Sequence, residues 1–138
     1  MTRILLILGM LSLAGCQDIP FVSDQCQAEI KKNVINPETV EFFEKSDSSL
    51  AEFEESVFRS LKEEMLSKVD WSERSDRQYE IESEARSIST ALAKDNSDAS
   101  FVRIRMKADG RLGNKITAHM ICAKKKNSCT CVQEAGTL

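Results

Sequence analysis

The chain has 138 residues, 30% of them charged and 41% hydrophobic, and 22 acidic against 19 basic side chains leave a formal charge of −3 at pH 7. That length suits one domain of ordinary size, and the acidic balance argues against recognition of nucleic acid through a basic surface. A single histidine leaves any metal centre to cysteines and carboxylates.

One early cation, Arg3, precedes the apolar run Ile4 to Leu13. The run is about half as long as the roughly twenty residues of a membrane-spanning helix, so it reads as a cleaved leader. It ends in Leu13-Ala14-Gly15-Cys16, which resembles the lipobox of bacterial lipoproteins. The resemblance implies that the Cys16 thiol receives a diacylglycerol, that the leader 1–15 is cut after Gly15, and that the new amino terminus is acylated by a fatty acid such as palmitate. Each buried methylene contributes about 0.8 kcal/mol and one acyl chain holds only marginally, so the several chains implied here give permanent anchoring. In lipoproteins of the enterobacterial type an aspartate directly after the lipidated cysteine signals retention in the inner membrane. Gln17 stands there instead, with Asp18 one place later. The expected address is the periplasmic face of the outer membrane, and the expected partners are that membrane, through the lipid, and an envelope protein.

The leader contains Arg3 and no acid, so the mature chain carries 18 basic against 22 acidic residues, a formal charge near −4. Four cysteines remain besides Cys16: Cys26, Cys122, Cys129 and Cys131. The periplasm is oxidising, so two disulfides are expected, with three connectivities open.

Residues 16–23 read as a lipidated tether, 24–127 as one domain and 128–138 as a cysteine-containing tail. Asp24 with Gln27 forms a capping signal for a first short helix, in which Cys26, Ile30 and Val34 share one inward stripe. Asn36-Pro37 stops it, and Val40 to Glu44 begins an extended segment. Ser49 with Glu52 is a second capping box, after which Leu50, Phe53, Val57, Leu61, Met65 and Val69 recur at three and four, the clearest helix in the chain. A stripe at this spacing reads as the buried face of a helix packed on a core. The alternatives are a face that docks a partner or one that lies on lipid, the latter disfavoured because the polar side is acid-rich and anionic membranes favour a basic one. On its wet side Glu55 stands four before Arg59 and Glu64 four before Lys68, pairs worth a few tenths of a kcal/mol.

Ser72 to Gln78 reads as a loop, followed by a strand through Tyr79, Ile81 and Ser83 to Ala85, although Ala85 to Lys94 suits a helix with Ile88 and Leu92 inward. Asn96 to Ser100 is turn chemistry. Next, Val102, Ile104, Met106 and Ala108 alternate with Arg103, Arg105 and Lys107, giving a strand with one apolar and one cationic face. After the turn marked by Asp109-Gly110 and Gly113-Asn114, Ile116, Ala118, Met120 and Cys122 alternate with Thr117 and His119, completing an antiparallel hairpin. Cys122 lies on the face of Ile116 and Met120, the one the first helix covers, so Cys26–Cys122 is the expected pair. Cys129 and Cys131 are left as the second. The fold class predicted is α+β, two helices packed on a small antiparallel sheet ending in a β-hairpin.

The segment Ala108-Asp109-Gly110-Arg111-Leu112-Gly113 followed by Ile116 and Cys122, together with Asn36-Pro37-Glu38-Thr39-Val40-Glu41-Phe42, resembles a group of small bacterial secreted and phage-encoded modules of unassigned function. In these a cysteine-bearing helix and a Pro-containing segment precede a meander ending in a cysteine strand. The long helix around Phe53 to Leu66 and Cys129-Thr130-Cys131 are additions, so the resemblance implies fold and disulfide alone.

No catalytic residue, cofactor or metal site is expected. Paired Cys-x-x-Cys motifs are absent, His119 sits mid-hairpin without a nucleophile motif, and Gly110 and Gly113 belong to a turn rather than a phosphate loop. Cys129-Thr130-Cys131, downstream of Lys124 to Lys126, has redox interest because neighbouring cations favour thiolate. Three function classes follow. The first is a lipid-anchored, non-catalytic envelope accessory that supports or localises a membrane-associated assembly of secretion or conjugation type. The second is a periplasmic binding, inhibitor or exclusion module using Arg103, Arg105 and Lys107. The third is a thiol–disulfide protein using Cys129 and Cys131.

Overall fold

The computed structural model describes residues 22–134. Among these, helix α1 (Asp24–Lys31) leads through a 3-10 turn (Pro37–Thr39) to strand β1 (Glu41–Asp47), and helix α2 (Leu50–Ser67) leads through a second 3-10 turn (Trp71–Glu73) to helix α3 (Arg74–Asp95). Strands β2 (Ser100–Asp109), β3 (Lys115–Lys124) and β4 (Cys129–Gln133) follow. The fold is α+β, with a four-stranded antiparallel sheet in the order β1-β2-β3-β4.

Each strand neighbours the next strand in sequence, so the sheet is a meander interrupted once, between β1 and β2, by the α2–α3 hairpin. Side chains alternate across a strand, and the register sorts them. Val102, Ile104, Met106 and Ala108 stand opposite Cys122, Met120, Ala118 and Ile116, while Phe101, Arg103, Arg105 and Lys107 stand opposite Ala123, Ile121, His119 and Thr117. The first set, apart from the exposed Ile116, joins Cys26 and Ile30 of α1, with Val22, Phe42 and Cys129, in one core. The second set supplies Phe101, Ile121 and Ala123 to another core with Phe53 and Val57 of α2, Leu92 of α3 and Val132 of β4. The sheet is therefore covered on both faces, by α1 on one and by α2 on the other.

The Ser23 side chain caps α1 by accepting from the Cys26 N–H at 3.4 Å, one place earlier than Asp24 predicts. The helix ends at Lys31, before Asn36-Pro37. Asn33 donates from its side chain to the Glu29 carbonyl at 3.4 Å, the local competition by which short polar side chains unwind a helix. Val34 still packs on the first core. Asn36 donates to the Asp109 carbonyl at 3.0 Å and Thr39 Oγ1 accepts from the Asp109 N–H at 2.8 Å, which docks the Pro37 turn on the end of β2. In the β2–β3 turn Gly113 has φ 77°, a conformation that favours glycine.

α2 starts where predicted and buries the first part of its stripe, whereas Leu50, Leu61 and Met65 are only partly buried and Val69 is buried beyond the helix end at Ser67. Ser49 accepts from the Glu52 N–H at 3.2 Å, Phe53 and Val57 are buried, and Glu55–Arg59 and Glu64–Lys68 pair at 3.2 and 3.0 Å. The segment after it differs from its prediction. Ser72 to Gln78 and the expected strand through Tyr79, Ile81 and Ser83 to Ala85 belong instead to the 3-10 turn and the 22-residue α3, so the sheet is joined by three helices rather than two. The stripe that α3 buries is Ile81, Ala85, Ser89 and Ala93, spaced by four and mostly small. Small side chains let α3 approach α2 closely, and Ser89 satisfies its hydroxyl on the Arg86 carbonyl at 3.0 Å. Leu92 faces the second core as expected, but Ile88 is exposed.

Residues 128–133 are not a tail. Lys125 N–H donates to the Ser128 carbonyl at 2.9 Å, closing a turn that brings Cys129–Gln133 alongside β3 as its outer neighbour. The leader, Cys16 and most of the tether lie outside the described residues.

Candidate functional site

The four cysteines of the domain converge on the α1 face of the sheet. Cys131 stands directly opposite Cys122 across the β3–β4 ladder, Cys129 lies two residues before Cys131 and thus on the same face, and Cys26 reaches them from the first turn of α1. The bonds are Cys26–Cys129 and Cys122–Cys131, with Cα separations of 5.0 and 4.1 Å. The expected pairs, Cys26 with Cys122 and Cys129 with Cys131, are corrected. The inward orientation of Cys26 and Cys122 is as predicted, but β4 brings two further cysteines to that face, and Cys131 rather than Cys26 occupies the position across from Cys122. The two disulfides touch, Cys129 Sγ lying 3.5 Å from Cys131 Sγ, and all four sulfurs lie within 4.8 Å of one another. Cys26, Cys122 and Cys129 are buried. Lys124 is the cross-strand neighbour of Cys129, and its ammonium caps the carbonyls of Lys125 and Lys126.

The cationic strand face is braced by acids from its own fold. Arg103 donates to both carboxylate oxygens of Glu134, at 3.0 and 3.1 Å, and reaches Glu52 at 3.4 Å. Arg105 pairs with Glu44 at 2.6 Å, and the Phe43 ring lies beneath both Arg105 and Lys107, at 4.9 and 5.0 Å. His119 Nδ1 lies 3.7 Å from Glu134. Arg103 and Arg105 therefore join β2 to α2, β1 and the end of β4, rather than presenting bare charge.

Between the start of α2 and this brace runs an open cleft of about 320 Å³, lined by Glu52, Glu55, Ser56, Arg59, Arg103 and Glu134. Desolvation pushes the Glu55 carboxyl up, but hydrogen bonds and charge from Arg86 and Arg59 together outweigh it and hold it below its ordinary value. On the opposite face a smaller apolar cleft of about 160 Å³ lies beside Val34, Ile35, Met106, Ala108 and Ile116. At the far end of the α2–α3 hairpin Trp71 and Tyr79 are 83% and 85% exposed. Among the described residues no helix is long and apolar enough to cross a membrane.

Sequence reasoning missed the union of the cysteines because it left Cys129-Thr130-Cys131-Val132 unpaired. The alternation of inward cysteines with β-branched Thr130 and Val132 is the strand signal that would have found it. No family model, curated protein or solved structure matches this chain.

Proposed function

We propose that this chain is a lipid-anchored, non-catalytic accessory protein of the bacterial envelope, held by Cys16 on the periplasmic face of the outer membrane and supporting a membrane-associated assembly through a protein partner. The observation that carries this reading is the use made of five cysteines. Four are bonded to one another within the domain, in the manner of a protein that matures in an oxidising compartment. The fifth, Cys16, follows Leu13-Ala14-Gly15 at the end of an apolar leader, where the lipobox pattern requires the lipidated residue. A domain stapled at two points and tethered by several acyl chains suits a long-lived structural part at a membrane surface.

The test has two arms. Metabolic labelling with a palmitate analogue is expected to mark the native protein and not Cys16→Ser, and crosslinking from intact envelopes is expected to recover a defined set of envelope proteins that the Cys16→Ser form does not. Labelling of both forms, or of neither, removes the anchor from the reading. A labelled protein that crosslinks to nothing removes the assembly.

A further inference from the structure

We propose that the four-cysteine cluster is also a metal site: with its disulfides reduced, the domain holds one thiophilic divalent cation of the zinc class on the thiolates of Cys26, Cys122, Cys129 and Cys131. A tetrahedral centre with metal–sulfur bonds of roughly 2.3 Å spaces its sulfurs by roughly 3.8 Å. The four Sγ atoms here lie within 4.8 Å of one another, with Cys129 and Cys131 at 3.5 Å across the two disulfides. The folded backbone already brings the four donors together from three elements. Cys129 and Cys131 come from alternate positions of β4, Cys122 from directly across on β3, and Cys26 from the first turn of α1. This placement departs from the expectation of no metal, which rested on the missing Cys-x-x-Cys pairs; ligands drawn from separate elements leave no such signature.

The surroundings suit the charge and the softness of such a centre. Val22, Ile30, Ile104 and Met120 belong to the same core as the buried Cys26, Cys122 and Cys129, while Cys131 is half-buried at its edge. Four thiolates on a divalent cation carry two net negative charges, and Lys124, beside Cys129 on the ladder, places one cation at the rim. The chemistry balances. Each disulfide takes two electrons from a phosphine, which leaves as the phosphine oxide with the oxygen of one water, and that water's two protons give two thiols. Binding as four thiolates then releases four protons per cation, so affinity falls as pH falls.

The full chain carrying Cys16→Ser, so that the fifth cysteine supplies no thiolate, is reduced with a phosphine, freed of reductant under anaerobic conditions and titrated with Co²⁺, followed by Zn²⁺. The expected result is saturation at one equivalent, with thiolate-to-cobalt charge-transfer bands and the intense d–d bands of a tetrahedral site, all abolished by Zn²⁺. Protease resistance lost on reduction returns with the metal. Replacing any one ligand, as in Cys26→Ser or Cys131→Ser, is expected to weaken binding by more than the roughly 10–100-fold that loss of an outer-shell partner costs. A spectrum unchanged by Cys26→Ser would mean that an unstructured chain binds through the C-terminal cysteines alone and would overturn the proposal. So would octahedral cobalt, a stoichiometry other than one, or no binding.

Discussion

Cys122 and Cys131 face each other across the β3–β4 ladder and are joined over a sequence separation of only 9, whereas the neighbouring Cys26–Cys129 bond spans 103 residues. Two bonds that share one cluster therefore constrain the unfolded chain very differently. On the chain-entropy account, closing a loop of this longer kind contributes about 4.7 kcal/mol and the shorter about 2.7 kcal/mol. Cys26→Ala/Cys129→Ala is expected to lose about 2 kcal/mol more stability than Cys122→Ala/Cys131→Ala, read from urea midpoints under oxidising conditions. Equal losses would show that local packing, rather than loop closure, sets the worth of each bond.

The same cluster shows why half of the cysteine argument was legible in the sequence. Face could be read from spacing: Cys26 aligns with Ile30, Cys122 with Met120, and both point inward as predicted. Partner could not, because once Cys129 and Cys131 reach the same face, four sulfurs crowd within 4.8 Å and orientation no longer selects among them. Helix α2 and the β2–β3 hairpin were legible for the complementary reason, their large apolar side chains recurring at the period of the element they form. Helix α3 was not. Its buried stripe uses Ala85, Ser89 and Ala93 where α2 uses Phe53 and Val57, and a close-packed seam of small residues has little hydrophobic contrast with the polar faces around it.

The cationic strand face is expected to behave as structure. Arg103 is half-buried and bidentate on Glu134, the arrangement in which an ion pair holds its geometry best. A double-mutant cycle of Arg103→Ala and Glu134→Ala is expected to give a coupling of about 1 kcal/mol, the upper end of what partly exposed pairs reach. Arg103→Glu is expected to cost more than Arg103→Ala, since it sets a third carboxylate beside Glu52 and Glu134. A coupling near zero in chemical denaturation would release this face for binding.

Acid sensitivity follows from Glu55. Although desolvation works against its charge, Arg86 at 3.2 Å and Arg59 at 3.2 Å keep its carboxyl below the ordinary 4.5 in the folded state. A carboxyl depressed on folding contributes stability that is fully present above its unfolded value and disappears as pH falls through its folded one. Because the pair is partly exposed, the contribution is modest, within the roughly 0.2–1 kcal/mol of surface pairs. Stability of the native protein is expected to decline through this acidic window more than that of Glu55→Gln, with the two curves converging at the acid end. Parallel curves from neutral pH downward would assign the acid response to other carboxylates.

Trp71 offers a direct reading of the far end of the α2–α3 hairpin. It is the sole tryptophan, stands 83% exposed in the turn between the helices, and has the Arg74 guanidinium 5.1 Å from its ring centroid. An exposed contact of this kind is worth roughly 0.5–1 kcal/mol at most, so Trp71→Ala is expected to leave the urea midpoint nearly unchanged. Emission from the native protein is expected to resemble that of tryptophan in water, to be quenched readily by acrylamide and to shift little on unfolding, while circular dichroism follows the cooperative loss of helix and sheet. In crosslinked envelope complexes, a blue shift with protection from quencher would place a partner over the hairpin end. Unchanged emission there would direct the search for that partner to another surface, and a blue, protected signal from the isolated protein would mean that the hairpin end packs against the chain itself.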